Sequence, residues 1–291
     1  MKQGLKSLLE NLGSKHGIWQ AFSDFVQIQA LLISNMCDPL HVEERRKAYL
    51  DIIKKYDDKA RETLSQASLV FGEEIEKNFN EKNPRDILGP LFHELNLHNE
   101  QTGQFFTPNS IADFLSMVAV GEDEKEIKEN GYITICEPAC GSGVMLLSFA
   151  GAMSKKGYDP KTQMVATAID IDLTCVCMTY VQLSLYGIPA VVIHGNALAV
   201  KEWSRWYTPI YILDNWLWIV KCGLTNERNP TDEVLKRILN PTYGIIRELL
   251  ESENDITKEK ENKICAIPDK EDKKKVVVEY HTAKNGQLSL F

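Results

Sequence analysis

The sequence predicts an α/β fold in which a short parallel sheet follows a large helical region. Beyond residue 131, short β-branched runs alternate with apolar helical stretches, the rhythm of strand–helix–strand crossovers. Before residue 95, apolar residues recur at helical spacing and no strand pattern is visible. A Gly-rich turn at 137–143, placed between a strand and a helix, marks the carboxyl edge of such a sheet.

Each element follows from local pattern. In the helical region 1–95, Ile18, Phe22, Phe25, Val26, Leu31 and Leu32 share helical spacing, as do Leu50, Ile53 and Tyr56. Such a region before an α/β core serves as a lid, a DNA-facing wall or a subunit interface. The core, 96–218, begins its sheet with a strand at 132–135, a helix at 144–153, a strand at 164–169, a helix at 173–186 and a strand at 190–193. A fourth strand is expected at 210–213, from Ile-Tyr-Ile-Leu. Segment 219–252 reads as a helical or irregular extension broken at Asn229-Pro230 and Asn240-Pro241. Segment 253–286 is too polar to bury much and reads as a tether, with one late strand expected at 276–278. An apolar pentapeptide, 287–291, ends the chain.

Composition narrows the function classes. The 291 residues carry a net charge of −8, which excludes a protein that coats nucleic acid by charge alone. Arg45, Arg46, Lys47, Lys54 and Lys55 form a local basic cluster, but interleaved acids favour a solvated helical face. Seven scattered cysteines fit reduced thiols, and the close pairs Cys136/Cys140 and Cys175/Cys177 lack partner histidines, so no metal site is expected. With no long apolar run and no secretory leader, the expected location is cytoplasmic, with no membrane association.

The chemistry-bearing residues fall at strand ends. Glu137-Pro-Ala-Cys-Gly-Ser-Gly143 lets the backbone turn sharply and approach a ligand at a helix N-terminus. Asp170 ends the second strand, where an acid suits the two hydroxyls of a ribose. His194-Gly-Asn196 follows the third strand, and the Asn196 amide suits an adenine edge. Leu146 stands where a dinucleotide-binding loop needs its last glycine, which turns the choice toward S-adenosylmethionine.

These blocks, with Gln104-Phe-Phe-Thr-Pro108 before them and Ile-Asp-Ile-Asp at 169–172, resemble the adenine-N6 DNA methyltransferases, specifically the modification subunits of type I restriction systems. The resemblance covers about residues 90–200. It implies a Rossmann-like S-adenosylmethionine-dependent methyltransferase fold, here apparently shortened. It also implies a DNA substrate, reached directly or through a partner subunit. By that resemblance Phe105, Thr107 and Pro108 border the methionine end of the cofactor, Glu137, Pro138, Gly141 and Gly143 its centre, Asp170 the ribose and Asn196 the adenine. Simpler roles stand beside these: Phe105 as core, Pro108 as a helix-start proline and Asp172 as a helix cap.

The family's catalytic tetrapeptide, Asn or Asp, two prolines and an aromatic, accepts hydrogen bonds from the target amino group and stacks on the flipped base. It is missing here. Asn215 with Trp218 is the preferred remnant, and Thr208 with Tyr211 is the rival. Trp203, Trp206, Trp216 and Trp218 alternatively form a packing cluster. Finally, Gln287-Leu-Ser-Leu-Phe291 resembles the peptide by which bacterial proteins bind the sliding clamp. Gln287, Leu288, Leu290 and Phe291 would fill its cleft, the alternative being a tail docked on its own domain.

Overall fold

The structure, a computed structural model, describes residues 4–97, 106–214, 216–217, 220, 281–282 and 288–289. Five helices come first: α1 (Leu5–His16), α2 (Ile18–Cys37), α3 (Val42–Ile53), α4 (Asp58–Asn80) and α5 (Leu88–Glu94). α1 and α2 meet at Gly17, whose φ of +84° is a conformation that side-chain-bearing residues rarely adopt. Asp57 caps α4 by accepting the Ala60 N–H at 2.9 Å. α2 is apolar around most of its circumference and packs against α1, α3 and a later helix of the α/β core, so it is the central rod of the helical region.

The α/β part opens with α6 (Asn109–Asn130) and runs β1 (Ile133–Glu137), α7 (Val144–Lys155), α8 (Pro160–Gln163), β2 (Met164–Asp170), α9 (Leu173–Leu185), β3 (Ala190–Asn196), β4 (Lys201–Tyr207) and α10 (Pro209–Leu213). The sheet order is β1-β2-β3-β4, with the first three strands parallel. This is the doubly connected α/β arrangement expected of a shortened Rossmann-like methyltransferase sheet. Because β1, β2 and β3 step in one direction, right-handed crossovers place α7 and α9 on the same face. Met164, Ala166, Ala168, Ala190 and Val192 look into that face and join one apolar core running from Leu5 to Trp206. The opposite face carries a smaller cluster near the amino ends of the strands: Tyr132, Val165, Val191, Ile210, Tyr211 and Trp216.

One strand differs from expectation. Residues 210–213 are helical, within α10, and the fourth strand is β4, antiparallel to β3. Pro209 explains the first change: it has no N–H for a sheet ladder, and its fixed φ suits a first helical position. β4 carries no readable strand pattern because it is rich in Lys, Glu, Ser and Arg, lies at the sheet edge among the described residues and buries only Trp206.

A second compact unit, Ile256–Phe291, contains the short antiparallel pair β5 (His281–Thr282) and β6 (Leu288–Ser289), with Thr282 opposite Leu288. The expected helical extension at 219–252, the tether at 253–286 and its late strand at 276–278 lie, apart from Val220 and the β5 residues, outside the described residues. No helix among the described residues is long and apolar enough to cross a membrane.

Candidate cofactor cradle

The carboxyl ends of β1, β2 and β3 gather the expected residues. At the end of β1, Glu137 Oε1 accepts the Ala139 N–H at 3.1 Å and starts the turn. Cys140 N–H donates to the Ile169 carbonyl at 2.9 Å, which pins the loop to β2. Gly141 and Gly143 then take φ of +55° and +89°, so the loop reverses and α7 begins at Val144.

Asp170 locks this loop in place. Its Oδ2 accepts the Gly141 N–H and its Oδ1 the Asp172 N–H, both at 2.9 Å. Burial pushes its pKa up, while these two N–H donors pull against the shift. Asp172 caps α9 by accepting the Thr174 N–H at 2.8 Å, which is the simpler of its two expected roles. Asn196 ends β3, and its Oδ1 accepts the Ala199 N–H at 2.9 Å, leaving the amide NH2 as the group with donors to offer. Ile171 and Leu198, one and two residues beyond Asp170 and Asn196, are exposed apolar side chains at the same end of the sheet.

Phe106, the neighbour of the expected Phe105, closes one side. A Cβ added to Gly141 would sit 2.9 Å from its ring. The ring packs at 5.0 Å on Phe92 and 5.5 Å on His93, centroid to centroid, and the Phe106 N–H donates to His93 Nε2 at 3.3 Å. Thr107 is half-buried beside it, and Pro108 precedes α6, its carbonyl accepting the Ala112 N–H at 3.1 Å. Phe105 lies outside the described residues.

Beneath the loop is a buried polar hub that no local pattern announces. Asp86 Oδ2 accepts the Ser142 hydroxyl at 2.5 Å, and its Oδ1 accepts the Gly89 N–H and the Gln182 amide, each at 2.9 Å. Gln182 also donates to the Ser142 carbonyl at 2.8 Å and accepts the Ile87 N–H at 2.7 Å. Burial pushes Asp86 above the usual carboxylate range, against these donors. The partners are 56 and 96 residues away in sequence, so only the fold brings them together.

Of the catalytic candidates, the described pair, Thr208 and Tyr211, does not join this cradle. Thr208 Oγ1 accepts the Ala190 N–H at 2.8 Å and donates to the Ile188 carbonyl at 2.9 Å, which fixes it at the amino end of β3. Tyr211 packs in the same amino-end cluster, so the structure separates the Thr208–Tyr211 pair from the carboxyl ends. Asn215 and Trp218 lie outside the described residues. Trp216 between them is fully buried at the amino end, 5.4 Å from the Tyr132 ring. The three described tryptophans of the expected cluster lie apart: Trp206 packs in the large core, Trp216 on the opposite face, and Trp203 is half-exposed against His194.

Three of the five residues of the basic cluster find local partners, and Arg46 and Lys47 are exposed. Arg45 is buried, bonded to Asp38, Ser34 and the Arg205 carbonyl and stacked over Trp206, while Lys54 and Lys55 pair with Asp51 and Asp24. No group of side chains suited to a metal ion occurs among the described residues, and burial drives the Cys140, Cys175 and Cys177 thiols well above their usual range.

A glycine turn, an acid and an amide stand on successive strand ends of an open α/β sheet, the edge at which ligands of such sheets commonly lie. The N-6 DNA methylase family model matches residues 84–274, about two thirds of the chain, and the chain belongs to that family. The methylase subunit of the MpnII type I restriction enzyme from Mycoplasma pneumoniae is 29% identical over 136 residues, covering 44% of this chain and 23% of that relative. The chain therefore spans about a quarter of the length of the curated relative it matches. A crystal structure from Listeria monocytogenes, assigned as a class I S-adenosylmethionine-dependent methyltransferase, aligns with a TM-score of 0.38 and 16% identity, over 67% of this chain and 53% of that one.

The residues fit the cofactor of that family. A carboxylate offers about four lone-pair positions. Asp170 spends two on backbone donors, which leaves acceptors for a ribose diol.

Proposed function

We propose that this chain binds S-adenosylmethionine in the cradle and acts as an adenine-N6 DNA methyltransferase of restriction-modification or mobile-element type. The observation that carries the reading is Asp170 holding the Gly141 turn open beneath Phe106, inside the family-matched stretch. In this reading Phe105, Thr107 and Pro108 border the methionine end, and Glu137, Pro138, Gly141 and Gly143 border the centre. Asp170 accepts from the ribose hydroxyls. The Asn196 amide donates to the adenine ring between the apolar Ile171 and Leu198. When bound, the cofactor supplies an electrophilic methyl group. Asn215 would accept hydrogen bonds from the target amino group and Trp218 would stack on the extruded base.

Asp170→Ala is expected to weaken S-adenosylmethionine about 10- to 100-fold, the ~1.5–3 kcal/mol of hydrogen bonds to a charged group. Titration calorimetry would check it, and unchanged affinity would remove the cradle assignment. Transfer of labelled methyl to DNA, assayed alone and with candidate specificity subunits, tests the activity.

A second reading is a non-catalytic relative that keeps cofactor or DNA binding. The burial of Trp216 and the amino-end placement of Thr208 and Tyr211 favour it. Loss of a measured methyl transfer in Asn215→Ala would decide against it. In either reading we propose that Gln287, Leu288, Leu290 and Phe291 bind the bacterial sliding clamp, which raises local concentration at DNA in the cytoplasm despite the acidic net charge. Removing residues 287–291 should abolish binding to purified clamp; retained affinity would end that claim.

A further inference from the structure

The aromatic wall of the cradle is held by the short helix α5. That helix is tied down at its start. Asp86 Oδ1 accepts the Gly89 N–H at 2.9 Å, and Gln182 Oε1 accepts the Ile87 and Leu88 N–H groups at 2.7 and 3.3 Å. Its last turn carries Phe92 and His93. Phe92 is buried in the large core, its ring 5.5 Å from that of Phe22 in α2 and 5.0 Å from that of Phe106.

His93 is the other half of this grip. Its half-buried ring meets Phe106 edge to face, 5.5 Å between centroids at 77°. Its Nε2 accepts the Phe106 N–H at 3.3 Å. A ring nitrogen that accepts must keep its lone pair, so the bond assigns the proton of the neutral imidazole to Nδ1. Phe106 is therefore held twice, by its ring and by its backbone. A Cβ on Gly141 would lie 2.9 Å from that ring, and on the opposite side the Gly141 N–H is bonded to Asp170.

We propose that His93 is a positioning residue for S-adenosylmethionine, its Nε2 lone pair setting the distance between segment 106–108 and the Gly141 turn. This rests on the cradle reading above and adds to it the group that fixes the wall. His93 acts through Phe106. Without an acceptor, the half-buried Phe106 N–H must turn toward water, and the segment turns with it. Cofactor binding then has to order the wall as well as fill the space, and the affinity falls by that cost.

Titration calorimetry on the full chain, with thermal unfolding of each cofactor-free variant, tests this. His93→Leu keeps bulk and removes the acceptor. His93→Asn carries an oxygen only as far as the Nδ1 position, whereas His93→Gln carries one out to the Nε2 position. The Leu and Asn variants are expected to raise the dissociation constant about 3- to 10-fold, the scale of one hydrogen bond. His93→Gln should stay within about twofold of the wild type, whatever its unfolding midpoint. A side chain that merely packed would instead give losses that follow the unfolding midpoint. Nitrogen NMR of histidine-labelled wild type should show His93 protonated at Nδ1 and bare at Nε2. Undiminished binding by His93→Leu overturns the proposal alone, as does a Gln variant no better than Asn, or a proton found on Nε2. Failure of the wild type itself to bind S-adenosylmethionine would instead end the cradle reading, and this proposal with it.

Discussion

Asp86 is the side chain on which the cradle rests. Replacing it by Ala leaves the Gln182 amide, the Gly89 N–H and the Ser142 hydroxyl buried with one partner fewer each. Asp86→Ala is expected to cost about 3–5 kcal/mol in denaturant unfolding, the scale for removing one partner of a buried charged network. Asp86→Asn keeps an acceptor toward Gly89 and Gln182 and can donate to Ser142, so it should cost far less. The two variants differ in pH behaviour as well. Because burial raises the Asp86 pKa in the folded state, the native protein holds this proton more tightly than the unfolded chain. Its contribution to stability is therefore fully present below the ordinary carboxylate pKa and is lost as pH rises through the raised value. Asp86→Asn should flatten that part of the stability–pH curve, and unfolding midpoints across mildly acidic pH would check it. Gly141 is the second critical position. Gly141→Ala forces a side chain into φ +55° and against the Phe106 ring, so S-adenosylmethionine affinity should fall and stability should drop by about 1–2 kcal/mol. Phe106→Leu on that background should recover part of the affinity.

Among the elements, β4 shows how the helical region and the sheet are joined. Arg45 reaches from α3 to the Arg205 carbonyl at 2.6 Å, lies 4.2 Å over the Trp206 ring and is held by Asp38 at 2.7 Å. Arg45→Ala takes the guanidinium from the buried Asp38, which keeps the Leu40 N–H and His41, and is expected to cost about 3 kcal/mol, with amide exchange accelerating first in β4. Arg45 also illustrates what a sequence conceals. Read in isolation it belongs to a basic cluster, and only the fold turns it inward. β1, β2, β3, α7 and α9 were legible because β-branched runs and apolar helices state their own period. β4 was not, since an edge strand buries little, and α10 was mistaken for a strand because four apolar residues fit either period until Pro209 is weighed. In the cradle, Glu137, Gly141, Gly143, Asp170 and Asn196 were legible as strand-end residues. Asp86 and Gln182 were not, because a buried hydrogen bond across 96 residues leaves no mark on spacing.

At the scale of the molecule, the helical region and the α/β part share one apolar core, so cofactor binding should register well beyond the loop. S-adenosylmethionine at a hundred times its dissociation constant should add about 2.7 kcal/mol to the unfolding free energy. Hydrogen exchange should slow in α5 and α9 as well as at 137–143, because Ser142, Gln182 and the 86–89 turn move as one bonded group. Protection confined to the loop would show that the hub does not transmit it. The same hub bears on how the chain is made. Gln182 follows Ser142 by 40 residues and Ile87 by 95, and it bonds to both. A nascent chain emerging amino end first therefore carries its glycine loop and its 86–89 turn without their common tie until α9 has left the ribosome. Synthesis halted before α9 would leave a product with the loop's sequence in full and its shape not yet set.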